Sequence, residues 1–89
     1  MLLHENINKK EIGLKGGVSR RIQKVRIYEQ EPILKDMKIL ANFLWQANRD
    51  CDEFTVFLYL LGMKTDESAY SIFEFNDKEL KFYRILDKK

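Results

Sequence analysis

Apolar residues are unevenly spread along this chain, and the densest group is Phe54-Thr55-Val56-Phe57-Leu58-Tyr59-Leu60-Leu61. No residue in that run is charged, so it needs cover on nearly every side. Its Phe, Thr, Val and Tyr content and compact length fit a strand. Asp50 and Glu53 at capping-box spacing, with Gly62 past the end, fit a helix instead. The C-terminal third of the chain favours the strand. Residues 64–68 are polar and turn-like, 69–75 are rich in strand formers, and Asn76-Asp77-Lys78 is a turn signal. In 79–86, Leu80, Phe82 and Leu86 alternate with Lys81, Tyr83 and Ile85, although Arg84 interrupts the first set. Two such stretches about a polar turn predict a hairpin, and with the central run a three-stranded meander.

Upstream, Ile33, Met37, Leu40, Ala41 and Leu44 recur at helical spacing, and Pro32 suits a first turn. A helix over 32–49 is expected, with Ile39, Phe43 and Trp45 widening its apolar surface beyond one stripe. From 22 to 29, Val25 and Ile27 alternate with Lys24, Arg26 and Tyr28, which predicts a strand with a basic face. Val18, Ile22, Val25 and Glu29 also lie at helical spacing, with Ser19 as an N-cap. Residues 1–17 show little pattern and contain Gly13, Gly16 and Gly17, so a flexible segment ahead of a single domain over 18–89 is expected. The predicted architecture is α+β: one helix packed on a mostly antiparallel sheet, in the order β-α-β-β-β.

One helix covers one face of a sheet. Phe54, Val56, Leu58 and Leu60 point one way along a strand, and Phe57, Tyr59 and Leu61 the other. A second apolar face therefore remains. Residues 1–20 could fold over it, or a second copy or a protein partner could cover it. Phe57, Tyr59, Tyr70 and Tyr83 are the candidate contacts for a homodimer or protein partner.

Composition adds bounds. The chain has 89 residues, 45% hydrophobic and 34% charged, which fits one ordinary globular domain. Net charge is only +2 but is segregated. Lys9, Lys10, Lys15, Arg20, Arg21, Lys24 and Arg26 face a single acid, Glu11, between residues 9 and 26. These seven are the candidate contacts to a nucleic-acid phosphate backbone. The decisive feature is whether Lys24 and Arg26 share a face with Arg20 and Arg21. A lone cysteine, Cys51, excludes an internal disulfide and fits a reducing compartment. No run is long enough for a signal peptide core or a bilayer crossing, so a cytoplasmic protein is expected.

Candidate chemistry is sparse. His4 is the only histidine and has no evident partner. Cys51 lies between Asp50 and Asp52, which oppose thiolate formation. Asp50, Asp52 and Glu53 lack the glycine and downstream glutamate of a calcium loop. The glycine-rich stretch 13–21 could present N–H groups, Lys15, Arg20, Arg21 and Ser19 to an anion. It lacks the Gly-Lys-Ser/Thr ending of a phosphate loop and the Gly-x-Gly-x-x-Gly of a dinucleotide site. The expectation is a non-catalytic interaction module with no metal, cofactor or small-molecule substrate. It would self-associate, or bind and regulate a larger protein, with inhibition as one form of that regulation; nucleic-acid binding is the alternative.

Overall fold

A computed structural model describes residues 1–13, 15–76 and 79–85, without the side chains of Lys15, Glu79 and Phe82. Leu14, the Asp77-Lys78 part of the expected turn, Leu86 and the tail 87–89 lie outside the described residues. Five strands and one long helix form an α+β domain: β1 (His4–Gly13), β2 (Ser19–Ile27), α1 (Leu34–Gln46), β3 (Glu53–Leu60), β4 (Ser71–Asn76) and β5 (Glu79–Ile85). The strands lie in sequence order in one sheet. Only β2 and β3 run parallel, and α1 is the crossover between them.

The expected order lacked one strand. Residues 4–13 form β1, paired antiparallel with β2, so the division between 1–17 and 18–89 does not follow the fold. Nor does β1 fold over a sheet face; it extends the sheet sideways. Alternation is hidden in β1 because a bulge at Ile7 shifts the register between Asn6 and Asn8. The connection to β2 includes Gly16 and Gly17 at φ 84° and 80°, a left-handed turn that side chains with a Cβ resist.

One side of the sheet packs on α1. Strand pairing sets three rows there: Arg21-Phe54-Phe75-Leu80, Gln23-Val56-Phe73-Tyr83 and Val25-Leu58-Ser71-Ile85. Met37, Leu40, Ala41, Leu44 and Trp45 of α1 bury against them. The Trp45 ring stacks on Phe54 and Phe75 at centroid separations of 5.9 and 5.6 Å. These aromatic pairs add to the area they bury. Of the residues expected to broaden the helix contact, only Trp45 does so. Ile39 and Phe43 remain 47% and 49% exposed, because they project away from the one face the sheet offers.

The helix is shorter than expected at both ends. Pro32 precedes the Ile33 N-cap, and the last turn closes with Ala47 N–H on Phe43 O. Asn48 Nδ2 donates to Leu44 O at 2.7 Å, capping a free carbonyl. In β5 the register shifts by one residue at Lys81. The bulge flips the alternation, so Leu80 shares the helix side with Tyr83 and Ile85, a set that unbroken alternation does not give.

Candidate functional site

Among the described residues, the other side of the sheet carries no helix. Pairing sets its rows across β1 to β5. One is Ile12-Arg20-Glu53-Asn76, the next Lys10-Ile22-Thr55-Glu74, and the third Asn8-Lys24-Phe57-Ile72-Arg84. Beyond them comes Glu5-Arg26-Tyr59. Ile22, Phe57 and Ile72 are half-buried and form an apolar strip across the middle strands.

Part of this face is covered by the chain itself. The connection 61–70 folds over Tyr59, leaving it 1% exposed, with its hydroxyl 3.4 Å from Glu67 O. Burial and nearby Asp66 push the Tyr59 phenol above its ordinary pKa. Basic residues hold the cover. Lys24 Nζ donates to Thr65 O at 2.7 Å and lies 5.8 Å from the Tyr59 ring centre. Arg26 donates to Leu60 O and Met63 O, each at 3.1 Å. Gly62, at φ 89°, makes the turn that starts the fold-back.

The part left open holds a shallow depression of about 550 Å³ lined by Asn8, Lys9, Lys10, Ile22, Lys24 and Phe57. Lys10 and Lys24 bring two ammonium groups to an apolar floor, whereas Lys9, paired with Gln23, points to the helix side; no carboxylate lines the depression. Lys9 and Lys10 are exposed and make no ion pair among the described residues. Cations clustered over a low-dielectric floor favour an anionic occupant.

The sequence-expected basic residues divide between the two faces. Arg20, Lys24 and Arg26 share the helix-free side with Lys10, while Lys9 and Arg21 lie on the helix side. Arg20 donates twice to Glu53 Oε1, at 3.0 and 2.8 Å. Arg21, with its side chain 14% exposed, grips both Asp50 oxygens at 2.8 and 2.9 Å, Asn48 Oδ1 at 2.9 Å, and Glu11. Those carboxylates hold the guanidinium above its ordinary pKa, and its donation holds Asp50 below the usual carboxylate range. Lys15 lies in the turn after β1, and its side chain is outside the described part of the structure.

The aromatic candidates do not form one patch. Phe57 is on the helix-free face, and Tyr59 is covered there. Tyr70 is half-buried against the core. Tyr83 is 40% exposed on the helix side, stacked on Phe73 with Lys38 Nζ 4.7 Å from its ring centre.

The remaining chemistry-bearing residues are held structurally. Asp50 bonds Arg21, Asp52 accepts from the Ser19 N–H at 2.8 Å, and Glu53 bonds Arg20, so the three carboxylates have separate partners. Asp52 also occupies the Ser19 groups that an anion loop would need. The Cys51 thiol is buried, 3.0 Å from Asn48 O, and burial pushes its pKa up. His4 Nδ1 is 2.9 Å from Leu2 O.

Among the described residues, no helix is long and apolar enough to cross a membrane. Comparison with known proteins gives no match to a family model, a curated protein or a solved structure. Asn8, Ile22, Ile72 and Arg84 belong to the open face without standing out in the sequence. The alternation Ile22-Lys24-Arg26 was the available signal; the strand register that adds Asn8 and Lys10 was not.

Proposed function

We propose that this chain is a small binding module that holds an anionic partner on the helix-free face of its sheet. The carrying observation is the depression bordered by Lys10 and Lys24 over Ile22 and Phe57, with no acid in its lining. Charge placed this way raises the local concentration of an anion and orients it. The apolar floor adds area that a bare inorganic ion would leave uncovered. Arg84 stands in the row of Lys24 and Phe57 and Arg20 in the row beyond Ile22, while Glu74, in the row of Ile22, makes no ion pair among the described residues.

Contact through Phe57, Tyr59, Tyr70 and Tyr83 together has less support, because these residues lie on different surfaces. The test is retention on a heparin column. Lys10→Glu with Arg84→Glu reverses two exposed charges of this face that make no ion pair among the described residues, so the fold should persist by circular dichroism. The double variant should elute at clearly lower salt than the parent. Unchanged elution from a folded variant contradicts the proposal.

A further inference from the structure

We infer that the anionic partner is single-stranded nucleic acid, with a base resting on Phe57 and its flanking phosphates on Lys10, Lys24 and Arg84. This rests on the anion-binding reading above and narrows it. The depression joins two demands at one place: fixed positive charge and a flat apolar contact. Phe57 and Ile72 are adjacent in one row, with Lys24 on one side and Arg84 on the other. A single strand meets both demands, since its backbone carries one anion per nucleotide and its unpaired bases have exposed π-faces.

Three other occupants fit less well. A duplex keeps its bases stacked inside, and the open face presents no helix or ribbon among the described residues to enter a groove. An acidic peptide carries backbone N–H and C=O groups that need partners. A sheet face offers side chains rather than a ladder, and Asn8 is the only uncharged polar side chain lining the depression. Such a peptide would pair with a strand edge instead. A second copy would bring the same cations, Lys10, Lys24 and Arg84, against their equivalents.

The covered row next to the depression sharpens the geometry. The connection 61–70 stands over Tyr59, while Lys24 bonds its Thr65 carbonyl. This cover walls one end of the open strip, so a strand lying across the face contacts Phe57 rather than Tyr59. Asn8 stands in the same row as Phe57, two strands away, where its amide can meet a base edge or sugar.

The experiment is fluorescence anisotropy with a labelled oligothymidylate of about 12 nucleotides, a duplex of the same length, and poly-glutamate as competitor. The full chain should bind the single strand more tightly than the duplex. With three phosphate contacts, affinity should fall about twentyfold between about 50 and about 200 mM salt. Phe57→Leu should lose about tenfold in affinity and Phe57→Tyr should restore it, because stacking needs a π-face. Lys10→Glu should weaken binding and flatten the salt dependence.

Equal binding of the duplex overturns the single-strand inference, as does an unchanged affinity in a folded Phe57→Leu variant. Effective competition by poly-glutamate at matched charge overturns it too, while leaving anion binding intact. No binding of any polyanion by the parent chain overturns both readings.

Discussion

The two sides of this sheet are built from alternate residues of the same strands, yet they solve opposite problems. On the helix side, β3 and β4 supply Phe54, Val56, Leu58, Phe73 and Phe75, and α1 covers them. Charge on that side is confined to its margin, where Arg21 is held by Asp50, Glu11 and Asn48. On the other side, Ile22, Phe57 and Ile72 remain half-buried among Lys10, Lys24, Arg20 and Arg84. The first arrangement removes apolar area from water, the main source of stability. The second leaves apolar area accessible beside fixed charge, which costs stability and serves recognition. Period-two alternation lets one strand do both.

Substitutions on the two sides should therefore separate stability from binding. The largest effect is expected at Trp45→Ala. Removing the ring between Phe54 and Phe75 leaves a cavity and should cost about 4 kcal/mol, measured by urea unfolding. A loss below about 1 kcal/mol would mean that α1 is not the main cover of that face.

Arg21→Ala comes next, at about 2 kcal/mol, because Asn48 Oδ1 loses its donor in a buried setting. The same margin carries a pH dependence. Arg21 holds the folded-state Asp50 below the ordinary carboxylate pKa. Its contribution is complete above the unfolded value and is lost as pH falls through the lowered folded value. Asp50→Asn should therefore be less stable than the parent at neutral pH, with the gap closing below about pH 4. A gap that widens in acid would contradict this assignment.

Lys10→Glu should show the smallest effect on stability, within about 0.5 kcal/mol, since the residue is exposed and unpaired among the described residues. It should nevertheless reduce oligothymidylate binding. A large stability loss there would place Lys10 in the fold rather than in the binding surface.

Much of the helix side was legible in the sequence. The uncharged run 54–61 and the stripe from Met37 to Leu44 both name residues that meet in the core. The alternation in β3 also assigned Phe57 and Tyr59 to the opposite face. What escaped the sequence depended on register and on insertions of one residue. The bulge at Ile7 masked β1, and the bulge at Lys81 reversed the sides of β5. Both break the period of two on which strand reading depends.

The basic segment was legible as charge but not as arrangement. Arg20, Lys24 and Arg26 do share a face, yet each also bonds the chain itself: Glu53, Thr65 O, and the carbonyls of Leu60 and Met63. Composition cannot separate cations that fasten a loop from cations that await a ligand. Nor could it show that residues 61–70 return over Tyr59, since such a fold-back is stabilised by long-range contacts.

The central claim is that the helix-free face is the binding surface. Methyl and amide NMR spectra recorded during titration with oligothymidylate test it most directly. The account predicts shifts in the Ile22 and Ile72 methyls and in the amides of Asn8, Lys10, Lys24 and Phe57. Ile39 and Leu40 on α1 should stay in place. Shifts gathered on α1, or an unchanged spectrum at saturating oligonucleotide, would contradict it.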